Sequence, residues 1–156
     1  MTPRTVSIFG STGSVGENTI DLIARAPDEY QVCVLTGANN IDLLARQART
    51  LRARIAVTAN DALLPDLRAA LSGSGIEAAA GATAIAEAAD RPADWTMSAI
   101  VGAAGLVPGL RTLARGGTLA LANKESLVCA GQLLMATAAA HGGRVLPVDS
   151  EHSAIF

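Results

Sequence analysis

The segment Gly10-Ser11-Thr12-Gly13-Ser14-Val15-Gly16 places a glycine at every third position, directly after an apolar run at 5–9 and directly before a segment of helical period. Few architectures need so abrupt a change from strand to helix. Glycine can take positive φ and lets the backbone approach a neighbour or a ligand closely. A helix beginning near Val15 would also point its unpaired N–H groups and partial positive charge at the turn, a ready seat for a phosphate. Thr12 and Ser14 add hydroxyl donors. The pattern is a GxxGxxG variant of the dinucleotide fingerprint. The same glycines would also serve a turn needed only for tight packing, and the position inside a strand–helix–strand unit favours the ligand.

The rest of the chain continues that alternation. Short apolar runs bounded by Gly, Pro, Asp or Asn lie at 5–9, 31–36, 54–58, 96–101, 118–122 and 144–148, as expected of strands buried on both faces. Between them, apolar residues recur at three and four over 17–26, 41–51, 62–71 and 126–141, predicting helices. Strand–helix alternation implies a Rossmann-like α/β fold: a doubly wound, mainly parallel sheet with helices on both faces. Ser72-Gly73-Ser74-Gly75 reads as a turn before a weak apolar segment at 76–80, and no linker or repeat divides the chain. Residues 1–156 are therefore read as one domain.

Composition narrows the partners. Half the residues are hydrophobic but only 3% are aromatic, so the core is expected to be built from Ala, Val, Ile and Leu. A net charge of −2, from 12 basic and 14 acidic residues, offers no field for nucleic acid or anionic lipid. The densest basic run, Arg46, Arg49, Arg52 and Arg54, has the spacing of a solvated helix face. Cys33 and Cys129 lie outside any CxxC pattern and read as free thiols of a reducing, cytoplasmic protein. The start shows no signal-peptide pattern, and the most apolar stretch, 97–110, is too short and too interrupted by Gly and Pro to span a bilayer.

Polar residues gather after two later strands. Asn123, Lys124, Glu125 and Ser126 follow 118–122, where the carboxyl ends of parallel strands open onto a ligand crevice. A lysine in the first turn of a helix opposes the macrodipole at a cost of about 0.3–1 kcal/mol, so local stability gives no reason for Lys124. Binding an anionic or oxygen-rich ligand would be a reason; a solvated lysine offset by Glu125 is the equal alternative. After 144–148 come Asp149 and Glu151, which in extended chain share a face and could converge on one cation. Two carboxylates suit Mg²⁺ or Mn²⁺ better than zinc. Taken alone, the tetrapeptide 149–152 fits a helix cap at Asp149 or Ser150 better still. His141 and His152 read as ordinary surface or packing residues.

Four segments in order, Gly10 to Gly16, the run Ala99-Ile100-Val101-Gly102-Ala103-Ala104-Gly105, Ala122-Asn123-Lys124-Glu125-Ser126-Leu127-Val128, and Leu146-Pro147-Val148-Asp149-Ser150-Glu151-His152, closely resemble the 1-deoxy-D-xylulose 5-phosphate reductoisomerase family. The resemblance spans essentially the whole chain. It implies an enzyme of the non-mevalonate isoprenoid pathway that rearranges its sugar-phosphate substrate and reduces it to 2-C-methyl-D-erythritol 4-phosphate, using NADPH and a divalent metal, Mn²⁺ or Mg²⁺. By that resemblance Thr12, Gly13, Ser14 and Val15 would contact the cofactor phosphates, and Gly37 and Asn39 the adenosine end. Asn123 and Glu125 would also reach the cofactor. Lys124, Ser150 and Glu151 would act on the substrate as catalytic residues, and Asp149 and Glu151 would hold the metal.

Two departures qualify the resemblance. Ala38 stands where relatives often carry Lys or Arg near the 2′-phosphate, although the absence of a carboxylate after the second strand suits NADP. The family's third metal carboxylate, substrate-phosphate residues, mobile loop and C-terminal helical domain are all expected beyond Phe156. The 156 residues alone are accordingly expected to bind NADPH weakly and to be inactive. Full-length relatives form homodimers, and no nucleic acid or membrane partner is implied. Two other readings stay open at the level of sequence: a free-standing dinucleotide-binding module without catalysis, and an unrelated NAD(P) dehydrogenase without a metal.

Overall fold

A computed structural model describes residues 1–148. Seven strands form one sheet: β1 (Arg4–Phe9), β2 (Tyr30–Gly37), β3 (Ile55–Thr58), β4 (Glu77–Ala80), β5 (Trp95–Ser98), β6 (Thr118–Leu121) and β7 (Arg144–Pro147). Six helices alternate with them: α1 (Ser14–Ala24), α2 (Ile41–Leu51), α3 (Leu64–Ala70), α4 (Gly81–Ala88), α5 (Leu106–Ala114) and α6 (Lys124–His141). The strand order is β4-β3-β2-β1-β5-β6-β7, and every neighbouring pair is parallel. Successive strands step outward from β1 to β4; the chain then crosses back to β5 on the other side of β1 and steps outward again. That reversal puts a crevice at the carboxyl ends of β1 and β5.

The central strand is covered from Val6 to Phe9, with Val6 and Ile8 at 0% exposure. On one face Ile23 of α1, Leu44 and Ala48 of α2 and Leu67 of α3 close over Val6, Ile8 and Leu35. On the other, Ile85 and Ala88 of α4 cover Phe9, Val34 and Val57, while Leu113 of α5 and Leu134 of α6 cover Leu119 and Leu121. Each fully buried Leu or Ile contributes about 1.5–3 kcal/mol, so aliphatic side chains suffice for this core. A register shift between Val6 and Ser7 skips Cys33, which explains why Cys33 and Val34 face the same layer.

The doubly wound, parallel arrangement agrees with the expectation from sequence, and four details differ. A seventh strand, β4, occupies the expected weak segment; as a half-buried edge strand of Glu and three alanines it lacks the β-branched residues that advertise a strand. Two further helices are unexpected: α4, half of it alanine and so without a clear period, and α5, where Leu106, Leu110 and Leu113 do recur at helical spacing but Pro108 and Gly109 interrupt them. The expected strand 96–101 stops at Ser98, and the chain then turns through Gly102 at φ 76°. The expected helix 62–71 is split: Asn60 caps a 3-10 turn at Asp61–Leu63, and α3 follows with Pro65 in its first turn, where the missing N–H costs nothing. Arg46, Arg49, Arg52 and Arg54 are all exposed, as their spacing suggests. Among the described residues no helix is long and apolar enough to cross a membrane.

Candidate functional site

The site begins where β1 ends. Gly10, at φ 88°, turns the chain so closely beneath the β5 exit that a Cβ would lie 2.6 Å from the Ala99 carbonyl oxygen. Its N–H donates to Thr36 Oγ1 at 2.9 Å, and the Ser11 N–H donates to the Thr36 carbonyl at 2.8 Å, so the turn hangs from the end of β2. Gly16 lies against the same turn: a Cβ there would come within 2.1 Å of the Gly10 carbonyl oxygen. Gly10 and Gly16 are thus demanded by the protein's own packing. Gly13 is different. Its φ of −85° suits any residue, and a Cβ would meet nothing closer than the Gly10 carbonyl oxygen at 3.7 Å.

Gly13 is also the N-cap of α1, and no side chain caps that helix end. The first turn of α1 therefore keeps its anion-seeking N–H groups directed out of the loop. In front of it lies a cavity of about 670 Å³, large enough for a ligand of dinucleotide size. Thr12, Gly13, Gly37 and Ala38 form one wall; Ile85 and Ala86 of α4 with Val107 and Pro108 of α5 form the facing wall. That second wall is almost wholly apolar and would accept the flat face of a base. Arg111 brings a cation to the lining, its guanidinium 2.8 Å from the Asp90 carboxylate. A further cavity, of about 780 Å³, lies at the opposite edge of the sheet against Arg4, Tyr30, Asp94 and Trp95, away from the loop.

The residues singled out from sequence separate into three groups. Thr12, Gly13 and Gly37 meet in the cavity, where a Cβ on Gly37 would make a tight 3.2 Å contact with the Thr12 side chain. Ser14 and Val15 stand exposed at the start of α1, and Asn39 stands exposed after β2 with its Oδ1 accepting from Asn60 Nδ2 at 3.0 Å. Asn123, Lys124 and Glu125 lie apart from the cavity lining, at the end of β6. Lys124 and Glu125 are exposed in the first turn of α6. Asn123 is 4% exposed and its amide is used internally: Oδ1 accepts from the Ser126 N–H at 3.2 Å, and Nδ2 donates to the Gly102 carbonyl at 2.8 Å. It joins α6 to the 99–105 run, whose Gly105 leaves room for that amide. Asp149, Ser150 and Glu151 lie outside the described residues. Val148, the last residue described, donates to the Leu121 carbonyl at 2.9 Å, so the ladder of β7 reaches the carboxyl edge of the sheet.

Sequence reasoning gave no role to the wall facing the loop. Ile100, Val101, Ala104, Val107 and Arg111 line it, and only the 99–105 run carried a signal, as a motif of the resemblance. Away from the cavity, burial pushes the Cys33 thiol up, hydrogen bonds from Thr5 hold Asp94 down, and burial lowers Arg115. The cavity offers binding by shape and backbone donors. Among the described residues no group of three His, Cys, Asp or Glu could hold a metal ion.

Comparison with known proteins gives a consistent set of relatives. The family model described as 1-deoxy-D-xylulose 5-phosphate reductoisomerase matches residues 6–131. The reductoisomerase of that name from Jannaschia sp. (strain CCS1) is 72% identical over 98% of this chain, which covers 39% of the relative. That from Ruegeria sp. (strain TM1040) is 67% identical over 100% of the chain and 40% of the relative. The chain therefore spans about 40% of the length of these curated relatives. Among solved structures, the Zymomonas mobilis reductoisomerase in complex with NADPH superposes with a TM-score of 0.94 at 53% identity, covering 96% of this chain and 40% of that one. A DOX-P reductoisomerase in complex with NADPH, fosmidomycin and magnesium gives 0.91 at 36% identity, covering 97% and 38%. A homoserine dehydrogenase from Thiobacillus denitrificans, at 0.55 and 22% identity over 92% of this chain and 29% of that one, shares the fold alone.

Proposed function

This chain belongs to the 1-deoxy-D-xylulose 5-phosphate reductoisomerase family, and we propose that it forms the NADPH-holding part of an enzyme converting 1-deoxy-D-xylulose 5-phosphate to 2-C-methyl-D-erythritol 4-phosphate. The observation that carries the cofactor reading is Gly13. It is the one glycine of the loop that no neighbour in the protein requires, and it sits uncapped at a helix N-terminus facing a cavity of about 670 Å³. Space kept clear by a missing Cβ, beside free backbone donors, is what a pyrophosphate needs. The bound NADPH of the Zymomonas mobilis relative gives the ligand class.

In this reading the loop residues Thr12, Gly13, Ser14 and Val15 hold the diphosphate, and the ends of β2 and β3 hold the adenosine. Gly37 lets Thr12 lie flat over the strand end, and Asn39 is oriented by Asn60. When bound, NADPH supplies a hydride, and Mg²⁺ or Mn²⁺ supplies Lewis acidity for substrate oxygens. Asp149 and Glu151 are the metal ligands we assign, and their paired carboxylates suit a hard ion; a magnesium-bound relative supports that chemistry. Lys124, Ser150 and Glu151 would hold the sugar phosphate, with Asn123 fixing the start of α6 and Glu125 beside it reaching the cofactor. Residues 1–156 act as one domain of that enzyme. We place the protein in the cytoplasm, as a homodimer without nucleic-acid partners; two unpaired cysteines, one of them exposed, fit a reducing compartment.

Titrating the full chain with NADPH and with NADH, each with and without Mn²⁺, tests the reading. Saturable binding that favours NADPH is expected. Equal and unsaturable signals for both nucleotides would sink it. In the full-length protein, Asp149→Asn is expected to abolish metal-dependent NADPH oxidation; unchanged turnover would remove the metal assignment.

A further inference from the structure

Gln47 is the polar residue that the apolar face of α2 does not explain. It is 5% exposed, flanked on the helix by the buried residues Leu44, Ala45 and Ala48. A buried amide costs free energy unless both its ends find partners. Both ends of Gln47 are used on one residue, 36 positions earlier: Oε1 accepts from Ser11 Oγ at 2.8 Å, and Nε2 donates to the Ser11 carbonyl at 2.9 Å. Ser11 is itself 0% exposed and lies between Gly10 and Thr12, both of which line the cavity. An apolar side chain would fill that position in α2 as well, so packing alone gives no reason for the amide.

We propose that Gln47 is a positioning residue for the phosphate loop, locking Ser11 at two points so that Thr12 and Gly13 present their backbone in a fixed geometry before a ligand arrives. The physical basis is that two bonds from one planar amide fix the orientation of Ser11 as well as its position. With the Ser11 N–H already given to Thr36, every polar group of Ser11 is then held by β2 or α2. A loop ordered in advance does not lose that freedom on binding. The inference rests on the NADPH reading proposed above.

Gln47→Met keeps the length and apolar bulk of the side chain and removes both bonds. Dissociation constants are measured for NADPH and for 2′-AMP, which carries the adenosine phosphate but no diphosphate, alongside the urea midpoint of each protein. The variant is expected to bind NADPH at least tenfold more weakly and 2′-AMP within twofold of the unaltered chain, whatever the change in midpoint. Unchanged NADPH affinity, or an equal loss for both ligands, would overturn the proposal, the second outcome marking a role in packing only. If Gln47→Met does not fold, Ser11→Ala, which removes the hydroxyl bond alone, is expected to weaken NADPH about threefold and spare 2′-AMP; no such selectivity would overturn it equally. Failure of the unaltered chain to bind NADPH is seen before any variant is made and removes the cofactor reading, and this inference with it.

Discussion

The two ends of the carboxyl edge are held in opposite ways. Around the phosphate loop, Gly10 and Ser11 are tied to Thr36 and Gln47 by four hydrogen bonds of 2.8–2.9 Å, and the steric fit is so close that two glycines admit no Cβ. At the other end, α6 is kinked at Ala130 (φ −148°, ψ 30°) and exposes Val128 at 85%, Leu133 at 53% and Met135 at 54%. Its start depends on Asn123, an N-cap that also reaches the Gly102 turn. The difference teaches where this chain carries its own instructions: the loop is fixed on every side by contacts within the domain, whereas α6 is held on one face, through Leu134 and Ala138 against α5 and β6, and leaves its other face exposed among the described residues.

The largest expected effect separates the glycines within the loop. Gly16→Ala must push a backbone carbonyl 2.1 Å away, and backbone cannot swing aside as a side chain can. A loss of about 3 kcal/mol or more in urea unfolding is expected. Gly13→Ala, by contrast, should leave the urea midpoint nearly unchanged and lower NADPH affinity at least tenfold, about 1.4 kcal/mol. If both variants lose stability alike, Gly13 is a structural glycine and the argument for a ligand at that position fails.

Asn123→Ala probes the weaker end. Removing the cap of α6 is expected to cost about 1–2 kcal/mol, and the lost bond to Gly102 should loosen the 99–105 wall of the cavity as well. Amide hydrogen exchange offers a direct view: protection should fall in the 102–106 turn and the first turn of α6, and stay unchanged at 10–13. Loss of protection at the phosphate loop too would show that the two ends are one cooperative unit, contrary to the contrast drawn above.

The same contrast decides what could be read from sequence. The loop, six of the seven strands and α2 were legible because their signals are local: glycines at fixed spacing, short apolar runs, and a clean helical period over 41–51. The facing wall of the cavity was not, because α4 is half alanine and its apolar residues gain meaning only when the crossover from β4 to β5 lays it over β1, β2 and β3, while α5 joins that wall from the next connection, packed on β6. Ser11 and Gln47 look like an unremarkable loop serine and a surface glutamine until α2 packs back on β1. Asn123 shows the converse: the motif placed it correctly at a strand end, yet its amide is committed to a cap and a turn that no spacing reveals.

The smallest effect tests the kink. Gly131 follows Ala130, its φ is not positive, and a Cβ there would meet nothing within 4 Å. If the bend at Ala130 is only the local path of a helix with few neighbours, Gly131→Ala should stabilise α6 by about 0.5–1 kcal/mol, the usual gain from removing glycine's freedom in a helix interior. If the bend instead depends on glycine at 131, the alanine would straighten the helix against the packing of Leu134 and Ala138, which are buried under α5 and β6. A urea midpoint that falls in Gly131→Ala would therefore mean that α6 is shaped from within, like the phosphate loop. A midpoint that rises keeps the two ends of the edge distinct.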